Sequence, residues 1–378
     1  MFISTNPDVG QWRITDEPTG LRVWGTGIVH QFSSTAHGRT IGAAEGCWLQ
    51  MQDSMGRVSQ QHARLTYDSS SRWVLSDLRS KNGITQDGTP QVCFSLAPGV
   101  ELGIGGITLI VESPLLVGLR EVLALFLGWP DERRAARDFD ERRAAVDLAL
   151  RSVRMAATRR ESLQLCGDDD LTLISVARLL HRHTLGNEQP FVICARRPRD
   201  ADPAIWANYD GVARYDSGLE ALAAAEGGTL CVWPRQPSDF AQVVEAHRNP
   251  SSRVQLIVCT RTHQPDPLIA PVILPPLAEC AFELDRIIDA YVVDAGAMPD
   301  GTLTTSDRAW IRSHESRTLA QIEKATRRFV AMRIHGITRA ADLLGLSHST
   351  LSEWAARRTL DIAGDGDSDS DGNGEETE

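Results

Sequence analysis

Asp77-Leu78-Arg79-Ser80-Lys81-Asn82-Gly83-Ile84 is a polar turn set between apolar runs. Asn82 carries an amide that both donates and accepts, so it can satisfy the N–H and the C=O of an extended peptide. Gly83 lets the backbone turn away sharply after it. Upstream lies the β-rich run Arg72-Trp73-Val74-Leu75, and downstream Gly106-Ile107-Thr108-Leu109-Ile110-Val111. Short runs of this kind alternate with Gly, Asn, Asp and Ser turns from about Gly20 to Glu112. The pattern predicts a β-sandwich over residues 15–113.

Two further fragments precede the turn: Thr40-Ile41-Gly42-Ala43 and Val58-Ser59-Gln60-Gln61-His62-Ala63-Arg64-Leu65. The three together, in this order and spacing, resemble the forkhead-associated (FHA) domain, a β-sandwich that binds phosphothreonine peptides through the loops at one end. The resemblance implies that Ser59 donates its hydroxyl to a phosphate oxygen, that Asn82 holds the peptide backbone, and that His62 braces the loop. Ala43 and Gln60 stand where the family carries arginine. A phosphate bears nearly two negative charges and is held best by guanidinium, so the charge here is expected from Arg57, Arg79 and Lys81. Ser59, Asn82, Ser80, Lys81, Arg79 and Arg57 are the candidate phosphopeptide-binding residues. The alternative is a phosphate-independent docking module that uses the same loops.

The chain has 378 residues, enough for two or three domains. No apolar run reaches the length of a membrane span, and the first residues lack a basic region followed by an apolar core. Seven cysteines are scattered singly, without zinc-ligand spacing, and an odd number argues against a disulfide frame. A reducing cytoplasm is the expected location. The net charge is −11, but it is unevenly spread. The tail 361–378 holds five Asp, three Glu and no base, leaving 42 acids against 39 bases elsewhere. Such a tail cannot bury enough apolar surface to fold.

At Pro114 the strand pattern gives way to helix. Leu115 to Trp129 reads as an apolar helix, and Asp131 to Arg160 as a longer one rich in Ala, Arg and Glu, a connector (114–160) with a solvated face. From 161 to 300 apolar strands alternate with helices: Phe191-Val192-Ile193-Cys194, Thr229-Leu230-Cys231-Val232 and Val254-Gln255-Leu256-Ile257-Val258-Cys259. Continuous apolar strands between helices imply a parallel sheet covered on both faces.

Gly167-Asp168-Asp169-Asp170-Leu171-Thr172-Leu173-Ile174-Ser175-Val176-Ala177-Arg178-Leu179-Leu180-His181, with Pro190-Phe191-Val192, Gly227-Gly228-Thr229-Leu230 and Leu274-Pro275-Pro276-Leu277, resembles the AAA+ domain of sigma-54-dependent enhancer-binding activators. The chemistry of that domain is degenerate here. A phosphate loop needs glycines, a lysine and a hydroxyl. The lysine position is Leu173, two glycine positions are Asp170 and Thr172, and the acidic pair of the second motif is replaced by Trp233 and Pro234. Three adjacent carboxylates, Asp168 to Asp170, would repel a triphosphate, and they cannot converge on one metal ion from a regular element. The expectation is no ATP hydrolysis, no catalytic residue, no cofactor and no metal.

The last folded segment, 301–360, contains Arg339-Ala340-Ala341-Asp342-Leu343-Leu344-Gly345-Leu346-Ser347-His348-Ser349-Thr350-Leu351-Ser352-Glu353-Trp354. Ala340, Ala341, Leu343 and Leu344 give a short helix one apolar face. Gly345 ends it with a positive φ, and Ser347 caps the next helix. Leu351 and Trp354 face back onto the first. Seven bases and two acids between Lys324 and Arg358 make the local field positive. With the helix from Thr318 to Ile334, the segment resembles the Fis-type helix-turn-helix that ends the same activator class. The resemblance implies DNA binding as a homodimer, with Ile322, Ala325, Phe329 and Met332 candidates for its interface. His348, Ser349, Thr350 and Ser352 are expected near bases, and Arg339, Arg357 and Arg358 on phosphates. The combined expectation is a multidomain bacterial transcription regulator with a (phospho)protein partner. The rival is an FHA-based scaffold without DNA binding.

Overall fold

The computed structural model describes residues 16–32, 38–128, 135–136, 138–167, 170–194, 213–233, 235–261, 269–277 and 284–362, and all their side chains except those of 170, 171, 213, 214 and 358–362. Asp168, Asp169, Pro234, Cys280, the Arg358 side chain and the tail from residue 363 lie outside the described residues. The chain forms two compact units that divide between Pro276 and Leu277.

The first unit opens with the sandwich. One sheet takes the order β2 (Val29–Gln31), β1 (Gly20–Val23), β11 (Ile107–Glu112), β10 (Glu101–Ile104), β7 (Ile84–Gln86), β8 (Thr89–Gln91). The other runs β4 (Leu49–Gln50), β3 (Arg39–Gly42), β5 (Ala63–Tyr67), β6 (Trp73–Asp77), β9 (Cys93–Ser95). All pairs are antiparallel except β3 with β4. Strand alternation fills the space between the sheets: Leu21, Ile41, Leu65, Leu75, Leu102 and Leu109 are fully buried there.

Alternation also sends Arg22 to the opposite face from Leu21, and that face is covered. Helix α1 (Pro114–Leu127) starts on a Ser113 cap with proline in its first turn, where the missing N–H costs nothing. Helix α2 (Glu141–Arg159) packs against it. The single helix expected from Asp131 is not what forms: Asp140 is extended, accepts from the N–H groups of Arg142 and Arg143, and so begins a helix at Glu141. Nor is the charged face of α2 all solvated. Arg22 is 2% exposed and is paired with Glu112 and with Asp147 of α2, its Nη1 donating to Asp147 Oδ2 at 3.0 Å. Asp147 accepts in addition from the Gly25 N–H at 2.8 Å, and Arg120 of α1 donates to Glu112 at 2.6 Å. Further along α2, Arg151 grips Glu101 with two nitrogens and lies over the Trp24 ring, 4.3 Å from its centroid. Arg154 does the same to Asp87 in the β7–β8 turn. The connector is therefore bolted to the sandwich by ion pairs, of which the Arg22 network is fully buried.

The sheet of the α/β part has the order β14 (Ala213–Tyr215), β13 (Phe191–Cys194), β15 (Thr229–Val232), β16 (Gln255–Thr260), β12 (Leu163–Cys166), β17 (Val272–Ile273). Every pairing is parallel, as the apolar runs imply. Helices α3 (Asp170–Leu185), α4 (Gly218–Ala224) and α5 (Phe240–Arg248) connect the strands. Beneath the sheet His181 is buried, its Nε2 donating to the Gln189 carbonyl and its Nδ1 2.8 Å from Thr229 Oγ1. His247 on α5 is fully buried. The six described cysteines are all free thiols.

The second unit is helical: α6 (Leu284–Asp294), the single turn α7 (Pro299–Thr302), α8 (Thr305–His314), α9 (Leu319–Leu344) and α10 (His348–Ile362). Helix α6 lies in this unit: its apolar face, Ile287, Ile288, Tyr291 and Val292, is buried and it packs against α9. Trp310, Phe329 and Trp354 form an aromatic centre with ring centroids 5.0–5.6 Å apart. Asp307 is fully buried, closes a capping box with Thr304, and takes two bonds from Arg333. Ile322, Ala325 and Phe329, expected at a dimer interface, are buried in this unit's own core, while Met332 is half-buried. Among the described residues no helix is long and apolar enough to cross a membrane.

Two stability outcomes follow from burial. Asp147→Ala leaves Arg22 short of a partner in a buried site and is expected to cost about 3–5 kcal/mol in urea unfolding; a loss under about 1 kcal/mol would mean the network is dispensable. Burial pushes His181 and His247 down to about 4 from the usual 6.5. Their neutral forms belong to the fold, so the unfolded chain binds more protons below 6.5. Stability is complete above that pH and is lost as pH falls toward 4. Replacing His247 with Gln should flatten this slope in pH-dependent melting, and an unchanged slope would assign it to other groups.

Candidate functional site

The loops between β3 and β4, β4 and β5, and β6 and β7 meet at one end of the sandwich. Backbone bonds fix their approach: Ala43 N to Ser59 O and Ala44 N to Gln60 O, both 3.0 Å, and Leu78 N to His62 O, 2.9 Å. The first approach requires glycine at position 42, because a Cβ there would come within 2.3 Å of the Gln60 carbonyl oxygen. Gly83 has φ +68°, which favours glycine in the third loop.

His62 is fully buried and joins two of these loops. Ser59 N donates to its Nδ1 at 3.0 Å. That leaves Nε2 to carry the proton, which it donates to the Gly83 carbonyl at 2.9 Å. The bracing role expected from the sequence is thus the geometry found. Ser59 Oγ accepts from the Lys81 N–H at 3.0 Å. Its acceptor side is occupied, and its O–H is left to donate outward. Asn82 is exposed, and its Nδ2 donates to the Arg57 carbonyl at 2.7 Å, which orients the amide.

The cations differ in availability. Arg57 is folded back on Asp53: its N–H donates to Oδ1 at 2.6 Å and its Nε to Oδ2 at 3.0 Å. Against the burial that would raise it, these bonds hold the Asp53 carboxyl below the usual carboxylate range. Arg79 and Lys81 are exposed, and Arg79 has φ +60°. Ser80, placed by sequence among the ligand contacts, has its hydroxyl engaged within the loop, donating to Asp77 Oδ1 at 2.6 Å and accepting from Gly83 N at 2.9 Å. Sequence reasoning missed Asp53, Asp77 and the reason for Gly42. Asp53 had a signal, lying four residues before Arg57; Asp77 opens the polar stretch itself.

The second candidate surface lies on the helical unit. Helix α9 breaks at Gly336 (φ +74°), and a short stretch to Leu344 follows. Gly345 ends it with φ +64°, and Ser347 Oγ accepts from Thr350 N at 3.1 Å, as the turn chemistry predicts. Ala340, Ala341, Leu351 and Trp354 are buried. Leu343 corrects the expected apolar face: it is 59% exposed. His348, Ser349, Thr350, Arg339 and Arg357 are exposed, and Ser352 is half-buried.

In the α/β part, Leu173 is fully buried and Trp233 nearly so. A Cβ on Gly167 would lie 3.4 Å from Leu173 and 3.3 Å from the Leu274 carbonyl oxygen, so an apolar side chain packs where the resemblance would set a lysine. Among the described residues no cluster of His, Cys, Asp and Glu suits a metal ion.

Residues 39–105 match the family model for the FHA domain. Three solved structures show what the segment is similar to. A protein from a structural and functional analysis of phosphothreonine-dependent FHA domain interactions is 26% identical, over 25% of this chain and 96% of that one, with a TM-score of 0.23. Mycobacterium tuberculosis EmbR in complex with a low-affinity phosphopeptide is 21% identical, over 25% and 24%, with a TM-score of 0.23. The N-terminal FHA domain of S. cerevisiae Rad53p with a phosphothreonine peptide is 16% identical, over 25% and 92%, with a TM-score of 0.23. No curated protein matches the chain. The loops braced by His62 are thus those of an FHA domain at the N-terminal end of the chain.

Proposed function

We propose that the chain is a cytoplasmic transcription regulator that binds a partner protein through its FHA domain and DNA through its C-terminal helices, with no catalytic step. What carries the reading is that both ends present preformed polar surfaces on a braced backbone, Ser59 and Asn82 at one and the start of α10 at the other. The partner is a phosphothreonine segment. Ser59 donates to a phosphate oxygen, Asn82 receives the peptide backbone, and Arg79 and Lys81 supply the charge that Ala43 and Gln60 lack. Arg57, held by Asp53, positions Asn82 through its carbonyl. The α/β part serves as a spacer or oligomerisation platform descended from an AAA+ ATPase; the buried Leu173 supports the absence of hydrolysis. A homodimer would double the DNA contact. Since Ile322, Ala325 and Phe329 are committed to the core, its interface must draw on exposed apolar residues such as Ile334 or Leu343. The scaffold reading, without DNA binding, is favoured by one observation: Glu353 puts a negative charge on the exposed side of α10.

Titration of the full chain with paired phosphorylated and unphosphorylated threonine peptides should show preference for the former. Ser59→Ala and Asn82→Ala should each weaken it about tenfold, the scale of one hydrogen bond to a charged group. Equal affinity for both peptide forms would replace the phosphate reading with phosphate-independent docking. On the DNA side, gel retardation should detect complexes at low salt that weaken steeply as salt rises. Complete failure to retain DNA at low salt would leave the scaffold.

A further inference from the structure

The first two turns of α10 hold five polar side chains that sequence alone cannot rank. In the structure four of them are already engaged, Ser349 and Thr350 with the capping Ser347, and His348 and Ser352 with each other. Ser347 Oγ lies 2.9 Å from Ser349 Oγ and 2.7 Å from Thr350 Oγ1, besides capping the helix. Ser352 Oγ lies 3.3 Å from His348 Nδ1. Glu353 differs. It is exposed, and among the described residues its carboxylate has no hydrogen bond or ion pair. Arg357, one turn on, forms no ion pair with it; its Nε lies 3.5 Å from the Glu353 backbone carbonyl. Leu351 and Trp354 fix the buried side of the helix. Ser349, Glu353 and Ala356, at i, i+4 and i+7, form a stripe on the other side. Small residues flank the carboxylate on that stripe, so it is the longest side chain there.

We infer that Glu353 is a specificity-determining residue that reads a cytosine in the major groove. The inference rests on the DNA-binding reading above. A carboxylate offers only acceptors. In the major groove cytosine presents the N4 amine as a donor, whereas guanine presents two acceptors, and adenine sets an acceptor beside its amine. Guanine would repel the carboxylate, and adenine would be half-matched. A free carboxylate close to phosphates is otherwise unfavourable, so Glu353 weakens binding to every sequence that lacks the amine and spares those that have it.

The test is selection of bound sites from a random duplex pool by the full chain and by Glu353→Gln and Glu353→Ala, with folding checked by circular dichroism. The wild-type protein should enrich cytosine at one position of its site. Glu353→Gln should lose that preference by about tenfold or more, with adenine gaining, since an amide pairs with the adenine edge. Glu353→Ala should relax the same position only. If both variants select the wild-type site, or bind all sequences uniformly more tightly, Glu353 is a repulsive surface charge and the inference is overturned while DNA binding stands. If neither wild type nor variants retain any duplex at low salt, the DNA-binding reading itself is overturned, and this inference with it.

Discussion

A guanidinium buried to 2% exposure cannot be tolerated without partners, and Arg22 has them from two directions. Glu112 comes from the neighbouring strand and Asp147 from helix α2, so satisfying one charge fixes a helix against a sheet. Burial by itself would lower the Arg22 pKa, but Asp147 and Glu112 outweigh it and hold the group above its ordinary value. The pairs Arg151–Glu101 and Arg154–Asp87 repeat the arrangement along the same helix. Their directionality matters more than their energy. An apolar contact would let α2 slide, whereas two-pronged guanidinium–carboxylate pairs permit one register. The sandwich and the connector are consequently one structural object.

The opposite end of the sandwich is built on a different constraint. Its loops anchor Met51 and Val58 in the core, and hydrogen bonds fix the shape of the rest. His62 supplies two of these, one within its own loop to Ser59 and one to Gly83 in the loop between β6 and β7, and Gly42 removes the Cβ that would hold the strands apart. The outcome is a braced rim on which Asn82 is exposed and Ser59 half-buried, both already oriented. Preorganisation of this kind reduces what a ligand must spend on ordering the site. Arg79 and Lys81 are exposed cations on this rim, beside Arg57 that Asp53 pairs.

In the helical unit Trp310, Phe329 and Trp354 gather into one aromatic centre on which three helices rest. Arg328 lies over the Trp354 ring, using its charge to cover the cluster rather than to reach outward. Of the seven bases counted between Lys324 and Arg358, Arg327 and Arg333 also close ion pairs within the unit. The field at its surface is therefore weaker than the base count implies, and the pattern of polar groups on α10 gains importance over net charge.

The sequence by itself determined the local chemistry. Alternating strands between glycine and asparagine turns, the parallel sheet from continuous apolar runs, the glycine stop at 345 and the serine cap at 347 all depend on neighbours a few residues away, and such interactions are written in order along the chain. The FHA loops were legible for the same reason, since Ser59, His62, Asn82 and Gly83 sit at fixed offsets from two strands. Tertiary structure alone decided which polar groups are spent and which remain available. Ser80 and Arg57 look like ligand contacts until Asp77 and Asp53 claim them. Ile322 and Phe329 look like an interface until the unit's own core buries them, and Leu343 looks buried until the fold leaves it exposed. Asp77 and Asp53 lie only three and four residues from the side chains they claim, whereas the burial of Ile322 and Phe329 and the partners of Arg22 come from residues brought near by folding, as far away as the 125 positions that separate Arg22 and Asp147.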